Sequence, residues 1–285
     1  MPLPATFDLM DFIIRALAED LGRGGDVTSN ATIDSDARFS AEMNARQEMV
    51  VAGLEITAAF FRRLDVSVRI EQLANDGDAV GAGTTLMRLE GNARAMLAAE
   101  RSALNTLQHL SGIATLTRRY VDAIAGTGAV LLDTRKTIPG LRVLEKYAAR
   151  MGGAENHRMR LDDGVLIKDN HVAVCGGVTE AVRRASAANT GLQVQIEVDR
   201  IEQIEAALTA GADRLLLDNM PPVVLREAVA LVAGRVPLEA SGGVTLETIR
   251  AIAETGVDYI SVGRITQSAP AVDIGLDYSV ESLRS

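Results

Sequence analysis

From residue 129 onward, short apolar runs alternate with amphipathic stretches. The runs are AVLLD (129–133), GVLIK (164–168), VQIEV (194–198), RLLLD (214–218), VPLEA (236–240) and DYISV (258–262). The stretches between them, such as GVTEAVRRASAAN, RIEQIEAALTAG, PPVVLREAVALVAG and TLETIRAIAETG, carry the 3.6-residue period of helices packed on one side. Buried runs alternating with helices predict βα units and a parallel sheet. Gly211 and Gly256 each fall between a helical stretch and the next run, where a helix C-terminus wants glycine. Six closely spaced units predict an incomplete βα-barrel of about six or seven parallel strands rather than an open sheet. No GxGxxG follows any run, which argues against a dinucleotide-binding unit.

The first 128 residues read differently. Helical periodicity occupies 7–21 and 53–64, and strand-like alternation occurs near 37–51 and 66–73. The segment DGDAVGAGTTLMRLEG (76–91) is similar to the hairpin of lipoyl and biotinyl modules. Those modules carry their cofactor on a lysine, and no lysine precedes Lys136 here, so a swinging arm is excluded and a structural β-element is expected. Residues 93–125 read as helical material broken at Ser111-Gly112. The expected organisation is an N-terminal α/β sandwich domain over 1–112 and a barrel over 113–269, with the tail 270–285 packing back on the first domain.

Composition narrows the function. The 285 residues carry a formal charge of −9, and no basic run or patch suits a nucleic acid. A single cysteine excludes an internal disulfide and a multi-cysteine metal cluster, and fits a reducing compartment. No stretch is long and apolar enough to span a bilayer, and the N-terminal MPLPATFDLMDFIIRALAEDLG has acidic residues where a secretory signal carries Lys or Arg. A cytoplasmic protein is therefore expected. Against the acidic background, Asp133–His171 holds eight basic and six acidic residues, along with all three lysines and two of the three histidines. A locally positive segment suits a small anionic ligand.

The ends of the predicted strands carry Asp133, Lys168, Glu197, Asp218 and Glu239, with Gly263 just past the last run. In βα-barrels the C-terminal strand ends and their loops form the active site, so these ionisable groups predict one polar cavity. Behind the first run, Thr134, Arg135 and Lys136 offer a planar guanidinium fork beside a point charge, suited to carboxylates or phosphates. The Gly-rich bend GGAENHRMR (152–160) delivers His157 and Arg158, and His171 positions a loop. Ser241, Gly242 and Gly243, then Ser261, Val262 and Gly263, lie in the last two βα turns, where such barrels hold phosphate.

The run DTRKTIPGLRVLEKYAARMGGAENHRMRLDDGVLIKDNH (133–171) resembles quinolinate phosphoribosyltransferase, the carboxylating nicotinate-nucleotide pyrophosphorylase. So do EDLGRGGDVTS (19–29), AERSALNTLQHLSGIAT (99–115), IEVD (196–199), LLLDN (215–219), EASGGV (239–244) and GVDYISVG (256–263), so the resemblance covers nearly the whole chain. It implies phosphoribosyl transfer from 5-phosphoribosyl 1-pyrophosphate (PRPP) to quinolinate with decarboxylation, giving nicotinate mononucleotide, pyrophosphate and CO2 for NAD synthesis. By this resemblance Arg135, Lys136, His157, Arg158 and Lys168 form a cationic wall, with Lys136 and Lys168 holding the carboxylates. Glu197 and Asp218 face the ribose and a Mg2+ that arrives with PRPP, and Ser241–Gly243 and Ser261–Gly263 bind phosphate. No organic cofactor is implied. Arg101 is expected to enter the site of a neighbouring subunit, in a homodimer or a hexamer of dimers with shared active sites. Arg160, Arg264 and Gln267 depart from the family, which commonly has Gly, a small residue and His at these places. Two rival readings are a Schiff-base aldolase using Lys168 and a non-catalytic anion-binding relative. The first leaves the Arg135-Lys136 and His157-Arg158 pairs without a task, and the intact DTRKT and IKDNH motifs count against the second.

Overall fold

The computed structural model describes residues 7–278, so the first six residues and the last seven of the tail 270–285 lie outside the described residues. The chain divides into two compact units. The first contains residues 1–116, 143–152 and 269–285, and the second contains 117–142 and 153–268.

In the first unit, α1 (Leu9–Leu21) starts where the Asp8 carboxylate accepts the Asp11 N–H at 2.9 Å, and it stops at Gly22 with φ +53°. The short α2 (Val27–Thr32) is capped in the same way by Asp26. β1 (Arg38–Ala45) alternates exposed and buried residues as a half-buried strand should. After β2 (Met49–Val50), α3 (Leu54–Leu64) is capped from a distance, because Asp76 Oδ1 accepts both the Gly53 and Leu54 N–H groups. β3 (Arg69–Gln72), β4 (Ala79–Val80) and β5 (Thr85–Asn92) follow. The antiparallel sheet runs β12-β1-β5-β3, where β12 (Ile274–Tyr278) is the returning tail, paired along β1 from Ala41↔Tyr278 to Ala45↔Ile274.

The segment 76–91 forms the structural β-element expected, though not as a hairpin: β4 pairs with β2 and β5 pairs with β1 and β3, so its two strands belong to different sheets. One sequence expectation changes here. The helix α4 (Ala93–Ala123) runs for 31 residues through Ser111-Gly112 without a break. The reason lies in close approach. A Cβ at Gly112 would stand 2.2 Å from the Pro270 carbonyl oxygen, and Ser111 Oγ accepts the Ala52 N–H at 3.0 Å. Both residues dock other segments onto a continuous helix.

The second unit is a parallel sheet of β6 (Val130–Leu132), β7 (Val165–Ile167), β8 (Val194–Val198), β9 (Arg214–Asp218), β10 (Leu238–Ser241) and β11 (Tyr259–Ser261), in the order β6-β11-β10-β9-β8-β7. The free edge of β6 is met by Glu155 in a single parallel bridge to Leu132, which makes the incomplete barrel six strands and a fragment. The connecting helices include α6 (Asp169–Cys175), α7 (Val178–Ala187), α8 (Glu202–Thr209), α9 (Pro222–Val232), α10 (Leu246–Ala253) and the one-turn α11 (Arg264–Gln267). Gly211 and Gly256 both take φ +94° after α8 and α10, as the sequence predicted. The helix after β6, α5 (Arg142–Met151), has all but its first residue in the first unit, where a division at 112/113 would assign it to the barrel.

Within the strands, Gln195 and Glu197, then Arg214, Leu216 and Asp218, then Glu239 and Ser241, alternate with the fully or almost fully buried Ile196, Val198, Leu215, Leu217 and Ala240. Strands that look uniformly apolar in sequence therefore keep a period of two, with an apolar face and a face carrying polar groups.

Candidate active site

The polar face ends in a cavity of about 650 Å3 in the second unit. Its lining includes Thr134, Arg135, Lys136, His157, Arg158, Lys168, Glu197, Asp218, Ser241, Gly242, Gly243, Ser261, Val262 and Gly263. Of the strand-end and turn residues expected in the barrel, the structure gathers all but Asp133 in one place. Arg101 is not among them; it is exposed on α4 in the first unit. Asn219, Thr245, Arg264 and Gln267 also line the cavity. Sequence reasoning did not assign these four to the site, although LLLDN and the departures at 264 and 267 brought three of them to notice.

Two strand-end assignments need correction. Asp133, just past β6, is fully buried and does not line the cavity; it accepts hydrogen bonds from Asn156 Nδ2 at 2.5 Å and the His157 N–H at 2.8 Å. It holds the 156–157 segment in place. Glu239 does line the cavity, but it is the second residue of β10, in register with Leu216 and Tyr259, one layer below the Asp218↔Ser241 pair that ends those strands. Its fully buried carboxylate meets Arg214 Nη2 at 2.8 Å, Gln195 Nε2 at 2.8 Å and His157 Nε2 at 3.4 Å. Burial alone would push this carboxyl up, but the His157, Arg214 and Gln195 contacts outweigh it and hold the group below the ordinary carboxylate range.

At the mouth, Lys168 Nζ donates to Glu197 Oε2 at 2.8 Å, and His171 Nδ1 accepts the Lys168 N–H at 3.0 Å at the start of α6. Asp218 is pushed above the ordinary range, first by burial and then by the Glu197 charge, with the Asn219 hydrogen bond, Lys168 and Lys136 pulling it back. Asn219 donates to Asp218 at 2.6 Å from a left-handed backbone, φ +55°. Gly242 has to be glycine: its φ is +91°, and a Cβ there would lie 2.2 Å from Asn219 Oδ1. Gly263 lets the Lys136 stem pass, since a Cβ would meet Lys136 Cδ at 2.7 Å.

The cations are poorly compensated. Arg158 is pulled down from its usual value by burial and then by the neighbouring Arg135 guanidinium. Arg135 Nε is buried and has no hydrogen-bond partner among the described residues. A buried cationic group beside a second one is stabilised by an anion placed between or against them. Glu197 and Asp218 add carboxylates to the same lining. A cavity lined by both cations and carboxylates fits a ligand that is anionic in one part and becomes cationic in another.

The chain matches one known family along nearly its whole length. The profile of the quinolinate phosphoribosyl transferase N-terminal domain matches residues 26–111, and that of the C-terminal domain matches 113–277. The chain is 43% identical over 272 residues to the nicotinate-nucleotide pyrophosphorylase [carboxylating] of Mycobacterium leprae, covering 94% of this chain and 96% of that one. It is 42% identical over 299 residues to the mitochondrial quinolinate phosphoribosyltransferase [decarboxylating] 2 of Nicotiana glauca, covering 98% and 85%. The nicotinate-nucleotide pyrophosphorylase structure from Ehrlichia chaffeensis superposes with a TM-score of 0.92 at 43% identity over 96% of this chain and 100% of that one. The Francisella tularensis structure gives 0.91 at 39% identity over 95% and 96%.

Proposed function

This chain belongs to the quinolinate phosphoribosyltransferase family and is a decarboxylating phosphoribosyltransferase of NAD biosynthesis that converts quinolinate and PRPP to nicotinate mononucleotide; we propose which of its side chains carry each step. The observation that carries the assignment is the poorly compensated pair Arg135 and Arg158 lining one cavity together with Glu197 and Asp218. Quinolinate brings two carboxylates and no formal cation. Arg135, Lys136, Arg158 and Lys168 take these carboxylates and the departing pyrophosphate. His157 lines the same wall, its Nδ1 held by the Arg158 N–H and its Nε2 3.4 Å from Glu239.

Glu197 and Asp218 face the ribose. As the C1–O bond to pyrophosphate breaks, positive charge grows on the sugar, and fixed carboxylates stabilise it without reorganising. Alkylation makes the ring nitrogen cationic, so the ring accepts the electron pair left when the adjacent carboxylate departs as CO2. Here the protein contributes orientation and charge placement. The turns Ser241–Gly243 and Ser261–Gly263 hold phosphate through backbone N–H groups.

A Mg2+ ion fits the anionic wall. No cluster of three or more His, Cys, Asp or Glu side chains among the described residues could cage a metal alone, whereas burial and Glu197 disfavour the charged form of Asp218, a cost that a cation would relieve. Glu197 and Asp218 would hold Mg2+ together with PRPP oxygens and water, and the ion would neutralise diphosphate charge. No described helix is long and apolar enough to cross a membrane. We place the enzyme in the cytoplasm, where the lone Cys175 thiol stays reduced. Relatives from plants are named mitochondrial or chloroplastic. The functional assembly is a homodimer, or a hexamer of dimers, in which Arg101 completes the partner's site.

The test is turnover of quinolinate with PRPP and Mg2+, followed by CO2 release, with nicotinate as comparison. Nicotinate is expected to react poorly, because it leaves cations built for a second carboxylate unpaired. Equal turnover of both acids would overturn the assignment of the wall.

A further inference from the structure

We infer that Glu239 is a positioning residue for the transfer reaction: it fixes His157 as the neutral Nε2–H tautomer, and His157 in turn fixes the Arg158 main chain at the cavity wall. His157 Nδ1 accepts the Arg158 N–H at 2.7 Å. A ring nitrogen that accepts carries no proton, so the ring proton sits on Nε2, which faces Glu239 Oε2 at 3.4 Å. Nδ1 is therefore held by the main chain of Arg158 and Nε2 is directed at Glu239.

The carboxylate that sets this tautomer is itself locked from below. Glu239 Oε2 also accepts from Gln195 and forms an ion pair with Arg214 Nη2 at 2.8 Å, and the Arg214 guanidinium lies 3.9 Å over the Tyr259 ring. From above, Asp133 accepts the His157 N–H and the Asn156 amide, and Arg158 Nη1 donates to the Gly164 carbonyl at 2.9 Å. The 156–158 segment is thus held on one side by Asp133 and on the other by Glu239. A chain of contacts runs from the barrel interior through Glu239 and His157 to the arginine that receives substrate. A buried carboxylate is costly unless its charge and direction are used, and here they meet both Arg214 and the His157 ring.

The kinetic half of the test rests on the assignment of Arg158 to quinolinate; the spectroscopic half does not. The chain has three histidines, so protein labelled with 15N only at histidine gives a countable spectrum, and His157→Gln identifies the His157 signals. In the free wild-type protein, His157 is expected to show an unprotonated Nδ1 and a protonated Nε2. In Glu239→Ala that signature should give way to a tautomer mixture, and the quinolinate KM should rise about tenfold or more, as for loss of a hydrogen bond involving a charged group. Glu239→Gln, which keeps an oxygen acceptor, should retain the tautomer and recover most of the lost affinity. An imidazolium protonated on both nitrogens in the wild type, or an unchanged tautomer in Glu239→Ala, overturns the inference. If Glu239→Ala does not fold, the wild-type and Glu239→Gln spectra still decide it. An inactive wild type with the expected tautomer would count against the assigned reaction and leave the positioning role standing.

Discussion

At Asp218 two demands oppose each other. Its carboxyl is held above the ordinary range by burial and by Glu197, so the folded protein binds that proton more tightly than the unfolded chain. The contribution to stability is therefore full below the ordinary carboxylate range and is lost as pH rises through the raised value. Asp218→Asn removes the penalty. Melting curves should show the variant more stable than wild type at neutral pH, with the difference vanishing in acid. The same substitution should lower kcat by about 10²–10³, the effect of removing one preorganised electrostatic group, with little change in quinolinate KM. Lys136→Ala and Arg158→Ala should instead raise quinolinate KM strongly, since they remove charges that meet the carboxylates already in the ground state. Glu197→Gln should alter both constants, because the Lys168–Glu197 bond of 2.8 Å ties the anionic wall to the cationic one. Single-turnover rates and quinolinate affinities on these four variants check the division, and unchanged rates in both carboxamides would remove the ribose-facing role.

Among the elements, α4 shows how a glycine can be misread. In an exposed helix interior, Gly→Ala would gain up to about 1 kcal/mol from propensity. At Gly112 the Pro270 carbonyl occupies the space a Cβ needs, so Gly112→Ala should instead destabilise by about 1–3 kcal/mol through overpacking. Denaturant unfolding of the variant gives the sign. A gain in stability would mean that the 269–272 segment yields freely. The strands of the barrel show a related point. Five-residue runs such as VQIEV and RLLLD look like fully buried strands, yet every second position faces a polar interior where Glu239 accepts from Gln195 and pairs in charge with Arg214.

For the whole molecule, the cavity lies in one unit and Arg101 in the other. If the partner's Arg101 completes each site, Arg101→Ala and Lys168→Ala proteins, each inactive alone, should recover activity when mixed and reassorted. Random pairing in two-fold dimers leaves about a quarter of the sites with neither substitution. Recovery well below that after confirmed exchange, or a fully active monomer, would remove the shared site.

Most of the fold and of the cavity was legible in the chain because their signals are local. Apolar runs, helical periods and glycines before strands sit within a few residues of what they specify, and the DTRKT, NHR and IKDN segments bring their charges to the turns that follow a strand. The tertiary structure alone decided the matters that depend on distant partners. Gly112 is glycine because of Pro270, and α3 is capped by Asp76. Helix α5 joins the first unit although it follows the first barrel strand. Asp133 turns inward to hold the 156–157 segment, and Glu239 sits a layer below the strand ends, where Arg214 and Gln195 keep it charged and His157 meets it. A side chain's register along one strand can be read from its neighbours in sequence, but its partner across the barrel exists only once the sheet has closed around it.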